Sequence, residues 1–313
     1  MLVITLKRSV KFIVIIIILF GCFYYKDDII KFFVAPAKKT ENKEIKIPES
    51  NEYKLSFGEY EYVQLTDNFV PDSKQDILNI VYTTLNSGWD SFTFYCPESY
   101  TTCVDDVTSI TNNNETLSNI NNYVHPYNSF KTIETNYSTS GEVTLNIHKL
   151  YSDTSIKLVN EKVDEIYNSL INDGMSERDK IKTIHDYIIN NTEYDDEKID
   201  GVTKLYSNSA RGVLLDGYGI CSGYTDAMAI FLNKMGIRNI KVSSQKHIWN
   251  LVFIEGKWQN LDLTFDDPTP SPDNGEDILI DDYFLIDTKT MQEIDTSSQH
   301  YFDEDIFKEA LNN

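Results

Sequence analysis

Residues 216–236 constrain the fold of this chain more than any other stretch. They read Asp-Gly-Tyr-Gly-Ile-Cys-Ser-Gly-Tyr-Thr-Asp-Ala-Met-Ala-Ile-Phe-Leu-Asn-Lys-Met-Gly. Gly217 and Gly219 before Cys221, and Gly223 after it, permit a close turn. Ala227 to Met235 is rich in helix formers. Met228, Phe231, Leu232 and Met235 recur at the spacing of one buried helical face. Ser222 is a good N-cap type, and Gly236 suits the left-handed position just past a helix end. The pattern predicts Cys221 at or just before a helix N-terminus. Unpaired N–H groups there favour negative charge, and so the thiolate, which is the nucleophilic form. The Cys221 backbone N–H is also a candidate oxyanion donor.

A hairpin follows. His247, Trp249, Leu251 and Phe253 alternate with Ile248, Asn250, Val252 and Ile254. Both faces are largely apolar, which predicts a central strand. Glu255-Gly256 reads as a two-residue turn, and Lys257 to Phe265 as the returning strand. With that loop Ile254 faces Lys257, Trp249 faces Asp262 and His247 faces Thr264. Asp262 and His247 are then diagonal neighbours on one face. A three-residue loop would send Asp262 to the opposite face. A thiol, an imidazole and a carboxylate in this order form a candidate catalytic set. Cys221 is the nucleophile, His247 its base and Asp262 the group that orients the base. The reaction class is attack on an acyl carbon, with amides the first candidates.

Five blocks carry a family resemblance: Gly219-Ile-Cys-Ser-Gly-Tyr, Leu232-Asn-Lys-Met-Gly-Ile, His247-Ile-Trp-Asn-Leu-Val, Gly256-Lys-Trp and Asp262-Leu-Thr-Phe-Asp-Asp-Pro. In that order they resemble the transglutaminase-like superfamily, a papain-related cysteine fold. The run Met175 to Ile188, Tyr194-Asp195 and the tail Tyr283-Phe-Leu-Ile resemble its bacterial members. The resemblance covers 159–307. It implies an α+β fold whose N-terminal helices pack on an antiparallel sheet. It implies the same roles for Cys221, His247 and Asp262. Phe265 departs from the pattern, since many members carry Trp there; both are large apolar rings. The superfamily includes transglutaminases, peptidases, deamidating enzymes and members without shown activity, so the resemblance does not choose a substrate.

Other polar residues point to no second chemistry. Trp249 and Trp258 read as core. His185, in register with Ile181, Ile184 and Ile188, reads as structural. His125, His148 and His300 show no ligand spacing, and no zinc or phosphate-loop pattern is present. The acidic stretch Asp266 to Asp282 lacks regular calcium spacing and reads as a solvated loop. No cofactor or metal is expected.

Lys7, Arg8 and Lys11 precede an apolar run from Phe12 to Tyr25, and Lys26-Asp27-Asp28 follows. Positive before and acidic after predicts an N-terminus inside and the remainder exported. A signal anchor is the first reading. A lipoprotein modified at Cys22 and a cleaved signal peptide are the alternatives. All three place the folded part outside the cytoplasm, at a bacterial cell surface. Cys96 and Cys103 could close a small disulfide there, with two free thiols as the alternative. A formal net charge of -21 argues against nucleic acid as a partner.

The expected organisation is a membrane segment over 1–34, a tether over 35–52, a small α+β domain over 53–151 and a catalytic domain over 156–308. In the small domain the patterns predict a helix over 76–85, a strand over 91–95, a helix over 116–124 and a hairpin of 131–137 with 142–150. The expected activity is an extracytoplasmic cysteine acyl transfer through a Cys221 thioester, of transglutaminase or peptidase and deamidase type. Its partner would be a protein or peptide, with cell-wall peptide one candidate. The competing reading is a non-catalytic surface-binding or assembly module on the same fold.

Overall fold

A computed structural model describes residues 45–56, 60–138, 140–195, 204–267 and 280–311. The chain divides into units 1–45 and 46–313. The expected membrane segment, Cys22 and most of the tether lie outside the described residues. Among the described residues no helix is long and apolar enough to cross a membrane.

Helix α1 (Lys74–Asn86) opens on a capping box, in which Ser73 and Asp76 satisfy each other's backbone N–H groups. It packs on α2 (Cys103–Thr111) and α3 (Asn114–Asn121). Strands β1 (Ser91–Tyr95), β2 (Phe130–Tyr137) and β3 (Glu142–Lys149) form an antiparallel sheet in the order β1-β3-β2. Phe92 and Phe94 of β1 are buried, as are Val143, Leu145 and Ile147 of β3. Period-two alternation thus gives this sheet one covered face. The expected strand and hairpin stand here within a residue of their predicted bounds.

Helices α4 (Asp153–Leu170) and α5 (Glu177–Asn190) follow, capped by Ser152 and Ser176. The short strands β4 (Glu193–Tyr194) and β5 (Tyr218–Gly219) pair in parallel and deliver the chain to α6 (Cys221–Lys234). Then come β6 (Asn239–Ser243), β7 (Ile248–Ile254), β8 (Lys257–Leu261) and β9 (Phe284–Ile286), an antiparallel sheet in chain order. Helix α7 (Thr288–Ile294) closes this part. Helix α6 packs against β7, β6 and α5. Its Met228, Phe231 and Leu232 are fully buried and join Ile184, Ile188, Val252 and Leu261 in one core. The fold is α+β, with α6 packed on one face of an antiparallel sheet and α7 reaching β8.

The segments before and after residue 151 are bonded to each other. Lys241 N–H donates to the Asn122 carbonyl at 2.9 Å, and the Tyr123 hydroxyl to the Ile306 carbonyl at 2.6 Å. The Lys241 ammonium meets Asp226 Oδ1 of α6 at 3.0 Å, and both side chains are buried. The Tyr151 hydroxyl donates to the other Asp226 oxygen at 2.9 Å and accepts from Ala210 N–H at 2.7 Å.

Cys96 and Cys103 form a disulfide, with their Cα atoms 5.7 Å apart, joining the end of β1 to the first residue of α2. This settles in favour of the bridge what the spacing left open. A loop closed over so few residues contributes about 2–3 kcal/mol by restricting the unfolded chain. Native protein treated with a thiol reagent should take no label at Cys96 or Cys103, and Cys103→Ala should lower stability by about that amount in urea titration. Labelling of either cysteine before reduction would contradict the bridge.

Candidate active site

Cys221 is the first residue of α6 and is partly exposed. The N-cap is Ile220, not Ser222 as the residue preference suggested, and no side chain caps this helix start. The Ser222 hydroxyl instead donates to the Asn208 carbonyl at 3.2 Å. The reason is the loop before the helix: Ile220 N–H donates to the Ser207 carbonyl at 2.9 Å, which draws residues 207–209 over the first turn. Gly223 makes this approach possible, because a Cβ there would lie 2.3 Å from the Ser207 carbonyl oxygen. Gly217 supplies the turn before β5, with φ of 73°.

The hairpin has the expected two-residue loop. Ile254 pairs with Lys257, and the register runs back to Asn250 opposite Leu261. Glu255 and Gly256 both take positive φ, as this turn requires. Strand β8 ends at Leu261 rather than continuing to Phe265, so the expected facing of His247 and Thr264 does not form. Asp262 causes the ending. Its Oδ1 accepts from Thr264 N–H at 3.0 Å and Phe265 N–H at 3.3 Å, turning the backbone back on itself.

His247 sits one residue before β7, held by Ser244. Its N–H donates to Ser244 Oγ at 3.1 Å and its carbonyl accepts from Ser244 N–H at 2.9 Å. Its ring is buried against Trp249, Phe265 and His300. Phe265 fills the place of the expected Trp with a ring centroid 4.9 Å from the imidazole. Nε2 lies 2.5 Å from Asp262 Oδ2. Cys221 lies close enough to the ring to favour its protonated form, which brings the three candidate residues into one neighbourhood.

Burial pulls the His247 imidazolium down, but the Asp262 charge and hydrogen bond and the contacts with Cys221 outweigh it and raise it to about 10. Burial pushes the Asp262 carboxyl up. The His247 charge and the bonds from His247 and His300 outweigh it and hold the group well below the usual carboxylate range. At neutral pH the site is therefore a charged imidazole clamped to a carboxylate and facing a thiol at an uncapped helix start.

Thr225 and His300 carry no signal of their own in the sequence. The Thr225 hydroxyl is 2.8 Å from the Cys221 carbonyl and 2.9 Å from that of Ile248, and Asn250 Nδ2 donates to the Thr225 carbonyl at 3.1 Å. These contacts stitch the first turn of α6 to the start of β7 and set the spacing of Cys221 and His247. His300 lies 38 residues beyond Asp262 and puts Nε2 2.8 Å from Asp262 Oδ2. Spacing could not reveal it, because an irregular segment carries it back to the sheet through the bridge of Ser244 with Phe302.

His247, Asp262 and His300 offer donor atoms within 4.8 Å of one another. Asp262 Oδ2 already makes direct contact with both ring nitrogens, so this donor set is engaged in proton-mediated bonds rather than arranged around an ion. His185 is buried as expected, with Nε2 3.0 Å from Asp266 Oδ2 and Nδ1 2.9 Å from Asp186 Oδ1. His125 is buried and His148 lies on the surface. Trp249 and Trp258 are core residues. The start of the acidic stretch is not solvated as expected. Asp266 is buried, and Asp267 accepts from the Tyr224 hydroxyl at 2.6 Å. The rest, 268–279, lies outside the described residues.

A proton held on His247 has a direct consequence for Cys221. At about pH 6, alkylation of Cys221 followed by mass spectrometry should slow at least tenfold in His247→Ala. The difference should narrow toward about pH 10, where the imidazole loses its proton. Equal rates across this range would contradict the ion-paired geometry.

The family model of the transglutaminase-like superfamily matches residues 164–263, which hold Cys221, His247 and Asp262. A solved structure described as a TGase shares 15% identity, covering 46% of this chain and 48% of its own, with a TM-score of 0.30. A suggested protease from Parabacteroides distasonis shares 14%, covering 42% of this chain and 36% of its own, with a TM-score of 0.25. The chain thus spans about half or less of each of these structures, and at such scores neither bears on its activity. No curated protein matches the chain. Residues 164–263 of this chain carry the core of the transglutaminase-like superfamily.

Proposed function

We propose that this protein is a cysteine acyl-transfer enzyme acting on amide or peptide bonds of a protein or peptide substrate. The observation that carries the reading is the buried His247 ring bonded to Asp262, with Cys221 at the start of α6 close enough to favour the protonated imidazole. The Cys221 sulfur adds to the amide carbonyl carbon, and the carbonyl oxygen takes the negative charge. The Cys221 backbone N–H, at the first position of α6, has no partner within its helix and is the candidate donor to that oxygen. His247 then gives its proton to the departing amine as the C–N bond breaks, leaving a thioester on Cys221. Asp262 holds the ring through Nε2, which leaves Nδ1 as the nitrogen to serve the sulfur. The neutral imidazole next takes a proton from water or from an incoming amine. That nucleophile attacks the thioester and returns the thiolate and imidazolium.

A groove of about 1430 Å³ lies beside the site, although Cys221, His247 and Asp262 do not line it. Ser244, Lys246 and Ile248, around His247, line it with Gln299 and Tyr301, around His300. The Cys96–Cys103 disulfide supports placement in an oxidising, extracytoplasmic space.

Incubation with a glutamine-containing peptide separates the outcomes. Peptide cleavage marks peptidase action. Ammonia release accompanies both other outcomes: conversion of the glutamine amide to a carboxyl marks deamidation, and a mass gain from the primary amine marks transglutamination. Cys221→Ala should abolish whichever is seen, and Asp262→Asn should lower it by about 10⁴-fold. Turnover that survives in Cys221→Ala would overturn the proposal.

A further inference from the structure

The Asp262 carboxylate serves two imidazoles. Oδ1 is fixed by the backbone N–H groups of Thr264 and Phe265. Oδ2 faces His247 at 2.5 Å and His300 at 2.8 Å. A carboxylate oxygen only accepts, so the His300 nitrogen facing it is the donor. The rings of Phe265, Trp249 and Tyr283 enclose His300, and its side chain has no exposure to solvent. Its Nδ1 stands 3.0 Å from Asp295 Oδ2 but is not aligned for a hydrogen bond. Asp295 is itself anchored by the N–H groups of Ser297, Gln299 and His300 and by the Ser297 hydroxyl.

We infer that His300, seated by Asp295, is a positioning residue for the Cys221–His247–Asp262 set, keeping Asp262 ionised so that the shared proton stays on His247. The inference rests on the acyl-transfer reading and deepens it. Its physical basis is the cost of burying a carboxylate, which favours the neutral acid. Asp262 is almost wholly buried and a short contact away from a proton donor. Each further N–H that points at the carboxylate favours the ionised form. The backbone supplies two, His247 one and His300 the fourth. Without the fourth, Asp262 competes better for the proton between it and His247. A proton moved onto Asp262 leaves a neutral imidazole beside the thiol, and the thiolate loses its counter-charge. The charged or titratable groups around this centre are Cys221, His247, Asp262, Asp266, Tyr283, Asp295 and His300. Among them only His247 and His300 present hydrogen-bond donors to Asp262.

The test is the pH profile of Cys221 alkylation in the whole folded protein, read by mass spectrometry. His300→Met keeps bulk and removes the donor. His300→Gln returns an N–H toward Asp262. His300→Met should slow labelling at about pH 6 by about tenfold and move the profile up by about one pH unit, the effect of one charge-assisted hydrogen bond. His300→Gln should recover most of that rate. Wild-type and His300→Met profiles that coincide would overturn the inference while leaving the acyl-transfer reading intact. A wild type that labels slowly and is unchanged by His247→Ala would overturn both. Imidazole ¹⁵N–¹H NMR of the wild type tests the same point without substitution, should His300→Met not fold. Downfield, slowly exchanging protons on Nε2 of both His247 and His300 are expected, and an Nε2 of His300 without a proton would overturn the inference.

Discussion

The buried Asp262 carboxylate is the constraint on which the site is built. Taking an ion out of water costs on the order of several kcal/mol, even after the protein relaxes around it. The chain offsets that cost with donors from three places. Thr264 and Phe265 give backbone N–H groups, His247 gives one ring nitrogen from the mouth of β7, and His300 gives another from the C-terminal segment. Meeting the needs of one carboxylate therefore brings together the end of β8, the start of β7 and the irregular chain after α7. The charge on His247 follows from it, and so does the polarity offered to Cys221.

Cys221 reaches this centre through a separate set of contacts. The Thr225 hydroxyl and the Asn250 amide join α6 to β7 at the level of the active residues. One turn along the same helix, Asp226 is held by Lys241 and Tyr151. Lys241 belongs to β6, and its backbone N–H reaches Asn122 in the segment before residue 151. The helix that carries the nucleophile is thus fixed to the sheet and to the N-terminal segment by buried polar groups. Removing one partner of such a pair leaves an uncompensated charge, which is far costlier than loss of an exposed ion pair. Placing these links in the interior makes the distance between Cys221 and His247 insensitive to surface motion.

Periodicity and turn chemistry made the local parts of the site legible. Met228, Phe231 and Leu232 marked the buried face of α6, and Glu255-Gly256 set the hairpin register that puts Asp262 near His247. The cap was misread because Ser222 has the right chemistry, while the 207–209 loop, bonded to Ile220 and Ser222, takes that place. The end of β8 was misread for a related reason. Apolar Leu263 and Phe265 continue an alternating pattern, but the Asp262 side chain captures the backbone N–H groups that a longer strand would have used. His300 was invisible because its role comes from a tertiary return over many residues, with no period to announce it. The solvated reading of Asp266 and Asp267 failed similarly, since acidic residues in a row look exposed until their partners on α5 and α6 are known.

Those partners tie down residues 262–267. Asp262 at its start is bonded to His247 and His300. Asp266 meets His185 of α5, and its Oδ1 accepts Tyr283 N–H at 2.9 Å. Burial raises the Asp266 carboxyl, with the His185 bond opposing. Asp267 is held by the Tyr224 hydroxyl from the first turns of α6. The backbone closes the same segment on itself, with Asp266 N–H donating to the Asp262 carbonyl at 3.2 Å. Helix α5, which contributes nothing to the reacting groups, therefore braces the turn that aims Asp262. His185 is structural in the sense expected from its helical face, yet the element it steadies is the one that sets the geometry of the catalytic carboxylate.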